Sequence, residues 1–182
     1  MNLPNYITLF RIFLVPFFLS FLIYYNPTHS SFRLIALGLF LIAVCTDGLD
    51  GLIARRFHKQ TKLGTFLDPI ADKVLLLSAF LGTAFSSAFV MKPPMWVVIV
   101  IVFRDCFIIG GLVIIYFTTN QLTIKPNLLG KFTTFFQMLT IIAILLESSH
   151  AIPLSLFTVS LTIASTIAYF LRGIRLINAV SS

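Results

Sequence analysis

Asp47, Asp50, Asp68 and Asp72 are four of only six acidic residues in this chain, and they crowd into positions 47–72 of an otherwise strongly apolar sequence. A carboxylate at membrane depth is costly, so a cluster of them in such surroundings marks a functional site. Asp47 and Asp50 are spaced i,i+3 and Asp68 and Asp72 i,i+4, which puts each pair on one face of a helix, roughly 40–60° apart around its axis. Two such helices joined by a short loop would bring four carboxylates to one point.

Carboxylates gathered so closely repel one another, and desolvation drives some of them to protonate unless a cation offsets the charge. Hard oxygen ligands select Mg²⁺ or Mn²⁺ over zinc, and the sequence has no Cys/His cluster that points elsewhere. Four carboxylates suffice to bridge two ions at the roughly 3.5–4 Å spacing that clamps a transferring phosphoryl group. Gly48, Gly51, Ala54 and Gly64 leave backbone open for a flat or phosphorylated ligand to approach closely. Arg55 can pair with a phosphate. The plainer alternative is that the acids cap helices and solvate a loop: Asp68 before Pro69 reads as an N-cap with proline at the first helical position. That accounts for one Asp of the four.

The segment reads D-G-L-D-G-L-I-A-R, eight further residues, then G-T-F-L-D-P-I-A-D. At these positions it resembles the CDP-alcohol phosphatidyltransferases, whose signature is D-x-x-D-G-x-x-A-R, eight residues, G-x-x-x-D-x-x-x-D. Asp47, Asp50, Gly51, Ala54, Arg55, Gly64, Asp68 and Asp72 occupy every fixed position. Weaker likenesses flank it, N-Y-I-T-L-F-R near the start and G-K-F-T-T-F-F-Q at 130–137, and both resemble the branch that makes phosphatidylglycerophosphate or cardiolipin. The resemblance therefore spans most of the chain.

Composition places these residues in a membrane independently of any likeness. The chain is 58% hydrophobic and 10% charged, with a mean hydropathy of +1.01, and its length suits a single domain over 1–182. Apolar runs recur at about 7–25, 34–54, 69–90, 95–118, 132–147 and 153–171, each near the roughly 20 residues needed to span a bilayer. Asn26-Pro27, Pro93-Pro94, Pro126-Asn127 and Pro153 punctuate them. The expected fold class is an all-α integral membrane protein with six transmembrane helices. The first run lacks a cationic leader and a cleavage site, so it reads as a retained helix.

Lys/Arg asymmetry orients the bundle. One side's loops hold Arg55, Arg56, Lys59, Lys62, Lys125, Lys131, Arg172 and Arg175 against Arg33 and Lys92 on the other, so both termini and the aspartate motif are expected at the cytoplasmic face of a bacterial inner or plasma membrane. A net charge of +7 lying along the membrane edge points to anionic lipid headgroups rather than nucleic acid.

What the resemblance implies is chemistry: CDP-diacylglycerol as donor, an alcohol as acceptor, CMP as leaving group, and a homodimer. Asp47, Asp50, Asp68 and Asp72 would hold the metals, and Gly48, Gly51, Ala54, Arg55 and Gly64 would receive the donor. The last aspartate of the pattern, Asp72, lies one turn deeper than Asp68 and is the general-base candidate. Arg104 and Asp105 form a second polar cluster inside the fourth apolar run, where membrane-embedded charges point to function. Arg104 is therefore expected to bind the acceptor's phosphate, with a structural ion pair between neighbouring helices as the alternative. Lys131, Arg172 and Arg175 are placed to assist, although positive-inside topology alone would explain all three. Related phosphatidylglycerophosphate synthases carry Arg-Glu where this chain has Arg104-Asp105, and the shorter acid resembles the CMP-forming cardiolipin synthases. Glycerol 3-phosphate is the first choice of acceptor and phosphatidylglycerol the second. A cation transporter or channel is the alternative from another class, disfavoured because the acids gather at one mouth instead of spreading through the membrane's depth.

Overall fold

The computed structural model describes the backbone of residues 3–28, 30–57, 62–119 and 128–180, and within these the side chains of residues 6, 8–28, 30–46, 70–111 and 128–171. The described chain is all-α. Its six helices are α1 (Leu3–Ile23), α2 (Ser30–Phe57), α3 (Lys62–Phe85), α4 (Met95–Thr119), α5 (Leu128–Leu145) and α6 (Ala151–Val180). They match the six apolar runs one for one, but most run past them. Arg55, Arg56, Lys62, Lys131, Arg172 and Arg175, expected in loops, lie on helix ends. Arg and Lys are good helix formers, and continuing the helix satisfies backbone groups that a loop would leave to solvent.

The punctuation works locally as its chemistry requires. Asn26 accepts the Thr28 N–H in an Asx-type turn (3.3 Å), which closes the α1–α2 connection. Pro93-Pro94 holds the chain out of helix, and α4 starts on the Pro94 carbonyl, which accepts the Val97 N–H at 3.0 Å. Pro153 falls in the first turn of α6, where its missing N–H leaves no bond unmade. The turn expected at Pro126-Asn127 lies outside the described residues. One expectation is corrected: α3 begins at Lys62, so Asp68 and Pro69 sit inside the helix and Asp68 is not its N-cap. A proline there forfeits one backbone hydrogen bond and crowds the preceding turn, costs that packing along the rest of the helix outweighs.

Two compact units divide the chain, Met1–Lys92 with Ile141–Ser148, and Pro93–Thr140 with Ser149–Ser182. In the first, α1 packs against both α2 and α3. Its core is Leu14, Val15, Phe18 and Leu22 of α1 against Ala36, Phe40 and Ala43 of α2 and Ala71, Leu75, Ala79 and Phe80 of α3. The alanines let helix backbones approach, as in membrane bundles, where close van der Waals fit replaces the hydrophobic drive. Gly82 does the same at the far end of α3: a Cβ there would come within 2.9 Å of Leu22 Cδ1.

The last turn of α5 is clasped into this first unit. Ser148 N–H bonds the Ala143 carbonyl and Glu147 N–H the Ile144 carbonyl, both at 2.9 Å, the paired bonds of a Schellman C-cap. Glu147 takes the left-handed position usually given to glycine, at φ 50°. Its side chain compensates by accepting the Tyr25 hydroxyl (2.8 Å) and pairing with Arg33. In the second unit α4 packs on α6, and the Thr140 and Thr158 hydroxyls of α5 and α6 meet at 2.8 Å.

Candidate active site

Helix α1 presents a face that repeats at helical spacing through Thr8, Arg11, Val15, Phe18 and Leu22, all buried. Its lower residues are apolar in the usual way, but Arg11 is a charged side chain only 1% exposed. A guanidinium so buried requires an anion and hydrogen-bond acceptors. It finds Asp72 of α3: Arg11 Nη1 donates to Asp72 Oδ1 in a part-buried ion pair. Asp72 itself is part-exposed, at 26% of its side chain, as a group that must meet a ligand needs to be.

The helices that carry the aspartates are held in register around that pair. Arg11 meets Asp72 and Leu22 meets Gly82, so eleven residues of α1 match ten of α3, about 15–17 Å in each, and the two helices run parallel. The ring pairs Phe18–Phe40 (5.8 Å) and Phe21–Phe32 (5.9 Å) run in the opposite sense, so α2 is antiparallel to α1. Carried on at 1.5 Å per residue, that pairing brings the α2 backbone level with Arg11 within about one to two turns of Asp47. The first unit thus sets the second half of α2, bearing Asp47, Gly48, Asp50, Gly51, Ala54 and Arg55, and the first half of α3, bearing Gly64, Asp68 and Asp72, against one end of α1. Of these side chains only that of Asp72 is among the described residues.

Sequence reading missed Arg11. It stood in the N-Y-I-T-L-F-R segment as a mark of resemblance, although the rule that singled out Arg104, a charge inside an apolar run, applies to it equally.

The second unit holds its own buried polar node. Arg104 Nη1 donates to Asp105 Oδ1 at 2.6 Å, with the two residues 2% and 0% exposed. This bond joins sequence neighbours on α4, because a long Arg side chain can fold back on the next residue's short carboxylate. The other arm of Arg104 reaches α5 and α6. A Cβ on Gly130 would lie 3.2 Å from Tyr169 Oη and 3.4 Å from Arg104 Nη2, so glycine is what lets the α5 backbone close on both groups. Among the described residues Arg104 Nε has no hydrogen-bond partner, which leaves donor capacity for a ligand. Lys131 is exposed on the first turns of α5. Arg172 and Arg175 lie on α6 with side chains outside the described residues.

The sequence model of the CDP-alcohol phosphatidyltransferases matches residues 1–171, a stretch that takes in all four aspartates, Arg11, Arg104 and Lys131. The chain belongs to the CDP-alcohol phosphatidyltransferase family. It is 33% identical over 184 residues, 98% of this chain and 85% of the relative, to a protein of Mycobacterium tuberculosis named a probable phosphatidylglycerophosphate synthase. It is 34% identical over 178 residues to a CDP-diacylglycerol–glycerol-3-phosphate 3-phosphatidyltransferase of Blochmanniella floridana, covering 95% of this chain and 90% of that one. A probable CMP-forming cardiolipin synthase of Drosophila melanogaster is 35% identical over 157 residues, covering 78% of this chain but 46% of the relative. This phosphatidyltransferase is therefore an enzyme, and the transporter or channel alternative falls away. The family is membrane-associated. Among the described residues two helices are long and apolar enough to cross a bilayer, Leu128–Leu145 and Ala151–Leu171. Arg172 and Arg175 begin just where the family match ends.

Proposed function

We propose that this phosphatidyltransferase moves the phosphatidyl group of CDP-diacylglycerol to glycerol 3-phosphate, releasing CMP, from a site at the cytoplasmic face of a six-span, homodimeric membrane domain. The observation that carries the acceptor is coverage: the bacterial relatives named for phosphatidylglycerophosphate synthesis align over 85% and 90% of their own length, the cardiolipin synthase over less than half of its own. The second reading, transfer to phosphatidylglycerol, is favoured by Asp105, the shorter acid beside Arg104. The bilayer is supported by an inverted distribution of side chains. Phe13, Phe17, Ile99, Phe103 and Phe107 are exposed while Arg11, Arg104, Asp105, Thr133, Gln137 and Thr140 are buried, an arrangement stable only where the surroundings are as apolar as lipid tails.

The donor set fits a divalent ion. Asp72 keeps a part-exposed carboxylate, and α2 and α3, whose sequences bear the four aspartates, both pack on α1 within one unit, which supports a site of hard oxygen ligands. Asp47, Asp50, Asp68 and Asp72 would hold two Mg²⁺ or Mn²⁺ ions, which when bound supply charge neutralisation and Lewis acidity at a pyrophosphate. Gly48, Gly51, Ala54 and Gly64 leave room for the donor's head, and Arg55 pairs with its phosphate. Asp72 accepts the proton of the attacking hydroxyl. The acceptor oxygen then bonds to the phosphorus that carries diacylglycerol, the bond from that phosphorus to the bridging oxygen breaks, and CMP departs. Arg104 binds the acceptor's phosphate, assisted by Lys131, Arg172 and Arg175.

The deciding experiment is CMP release from CDP-diacylglycerol by the full chain in detergent, with glycerol 3-phosphate or phosphatidylglycerol as acceptor. Release with glycerol 3-phosphate is expected, lost on chelation, restored by Mg²⁺ or Mn²⁺ and not by Zn²⁺. Release with phosphatidylglycerol alone would transfer the protein to the second reading, and restoration by Zn²⁺ alone would overturn the hard-oxygen metal site.

Arg104→Lys tests the acceptor assignment. A forked phosphate contact needs the planar guanidinium, so the variant is expected to raise the KM for glycerol 3-phosphate by about tenfold or more while donor KM changes little. Equal losses toward both substrates, with poor expression, would make the Arg104–Asp105 bond a structural one.

A further inference from the structure

Arg11 is the cation that the structure places on Asp72. Three observations bear on its role. It is 1% exposed and lies in the second half of a buried polar step, Thr8 and Arg11 being one helical turn apart on the face of α1 that packs on α2 and α3. Its partner is the single aspartate of the motif to which the transfer chemistry assigns the proton. The pairing joins two helices, 61 positions apart in sequence, so it fixes α3 against α1 at the depth of Asp72, while Leu22 against Gly82 fixes the same two helices at their other end.

A carboxylate on a helix has freedom about two side-chain torsions, and a base must hold the hydroxyl within hydrogen-bond reach to act. Engaging one carboxylate oxygen with a buried guanidinium removes most of that freedom. A buried positive charge beside Asp72 also favours the charged form of its carboxylate. A lysine could supply the charge but not the rigid planar fork.

We propose that Arg11 is a positioning residue of the transfer reaction, orienting the Asp72 carboxylate from α1 without itself touching substrate. This rests on the assignment of Asp72 as base or metal ligand, and the test separates the two claims. Arg11→Lys, Arg11→Met, Asp72→Asn and the double variant Arg11→Met/Asp72→Asn are purified as full chains. For each, kcat, the KM of CDP-diacylglycerol, thermal stability in detergent and direct Mn²⁺ binding by electron paramagnetic resonance are measured. Arg11→Lys is expected to lose about 10–100-fold in kcat, the scale of a misplaced catalytic group, with donor KM within about threefold and folding intact. The double variant is expected to match Asp72→Asn alone in kcat and in Mn²⁺ affinity, because a residue that acts through Asp72 has nothing left to orient. The double variant removes both charges of the pair, so it reports even where Arg11→Met fails to fold. Arg11→Lys with kcat within threefold of wild type would overturn the proposal and leave Arg11 a fold staple. Losses that multiply in the double variant would overturn it in favour of direct substrate contact. Full activity of Asp72→Asn would sink the assignment of Asp72 and the Arg11 proposal with it, whereas an inactive Asp72→Asn beside active Arg11 variants would sink the Arg11 proposal only.

Discussion

Asp47→Asn, Asp50→Asn and Asp68→Asn are each expected to abolish turnover while leaving the protein folded. An amide has nearly the shape of a carboxylate but brings no negative charge, and a shared divalent ion needs that charge more than it needs the oxygen atom. Asp47 and Asp50 sit one turn apart on α2, and Asp68 one turn before Asp72 on α3, so no single replacement has a neighbour able to take over its place. Folding should survive because the apolar contacts of α1 with α2 and α3, Phe18 with Phe40 and Leu22 with Gly82, lie farther along the helices. The check is CMP release alongside thermal stability in detergent. More than a tenth of wild-type turnover in all three variants, a barrier change below about 1.4 kcal/mol, would remove the metal site from these residues.

With Asp72 acting chiefly as the base and only secondarily as a metal ligand, Asp72→Asn is expected to lower kcat by about 10²–10⁴-fold, the range for a positioned general base, with CDP-diacylglycerol and metal still bound. A metal ligand would behave differently. Its loss would raise the metal concentration for half-maximal activity, and excess Mg²⁺ would partly restore the rate. Arg11 already engages one oxygen of Asp72. Rescue of Asp72→Asn by excess Mg²⁺ would show that the remaining oxygen serves the metal and that the proton goes elsewhere.

Helix number and order were legible because each helix is built on an apolar run bounded by turn or basic residues, a pattern that depends only on local composition. Helix ends were less so. The basic residues flanking the runs read as loop but are helical, and Asp68-Pro69 read as a helix start but lies within α3, because the stability of a helix end is decided by what the rest of the helix packs against. The left-handed Glu147 had no local signature either. It is tolerated because Tyr25 and Arg33, more than 110 positions away in sequence, hold its side chain.

The aspartate motif, with its spacing and chemistry, was present in the sequence alone, since the separation of charges along a helix is set by 3.6 residues per turn and the scarcity of acids in an apolar chain makes each one informative. Partnership was not. Which cation meets Asp72, whether Arg104 bonds across helices or to its own neighbour, and why residue 130 is glycine depend on how α1 lies on α3 and how α4 meets α5 and α6. Those contacts join residues far apart in the chain, and only the packed helices bring them within hydrogen-bond reach.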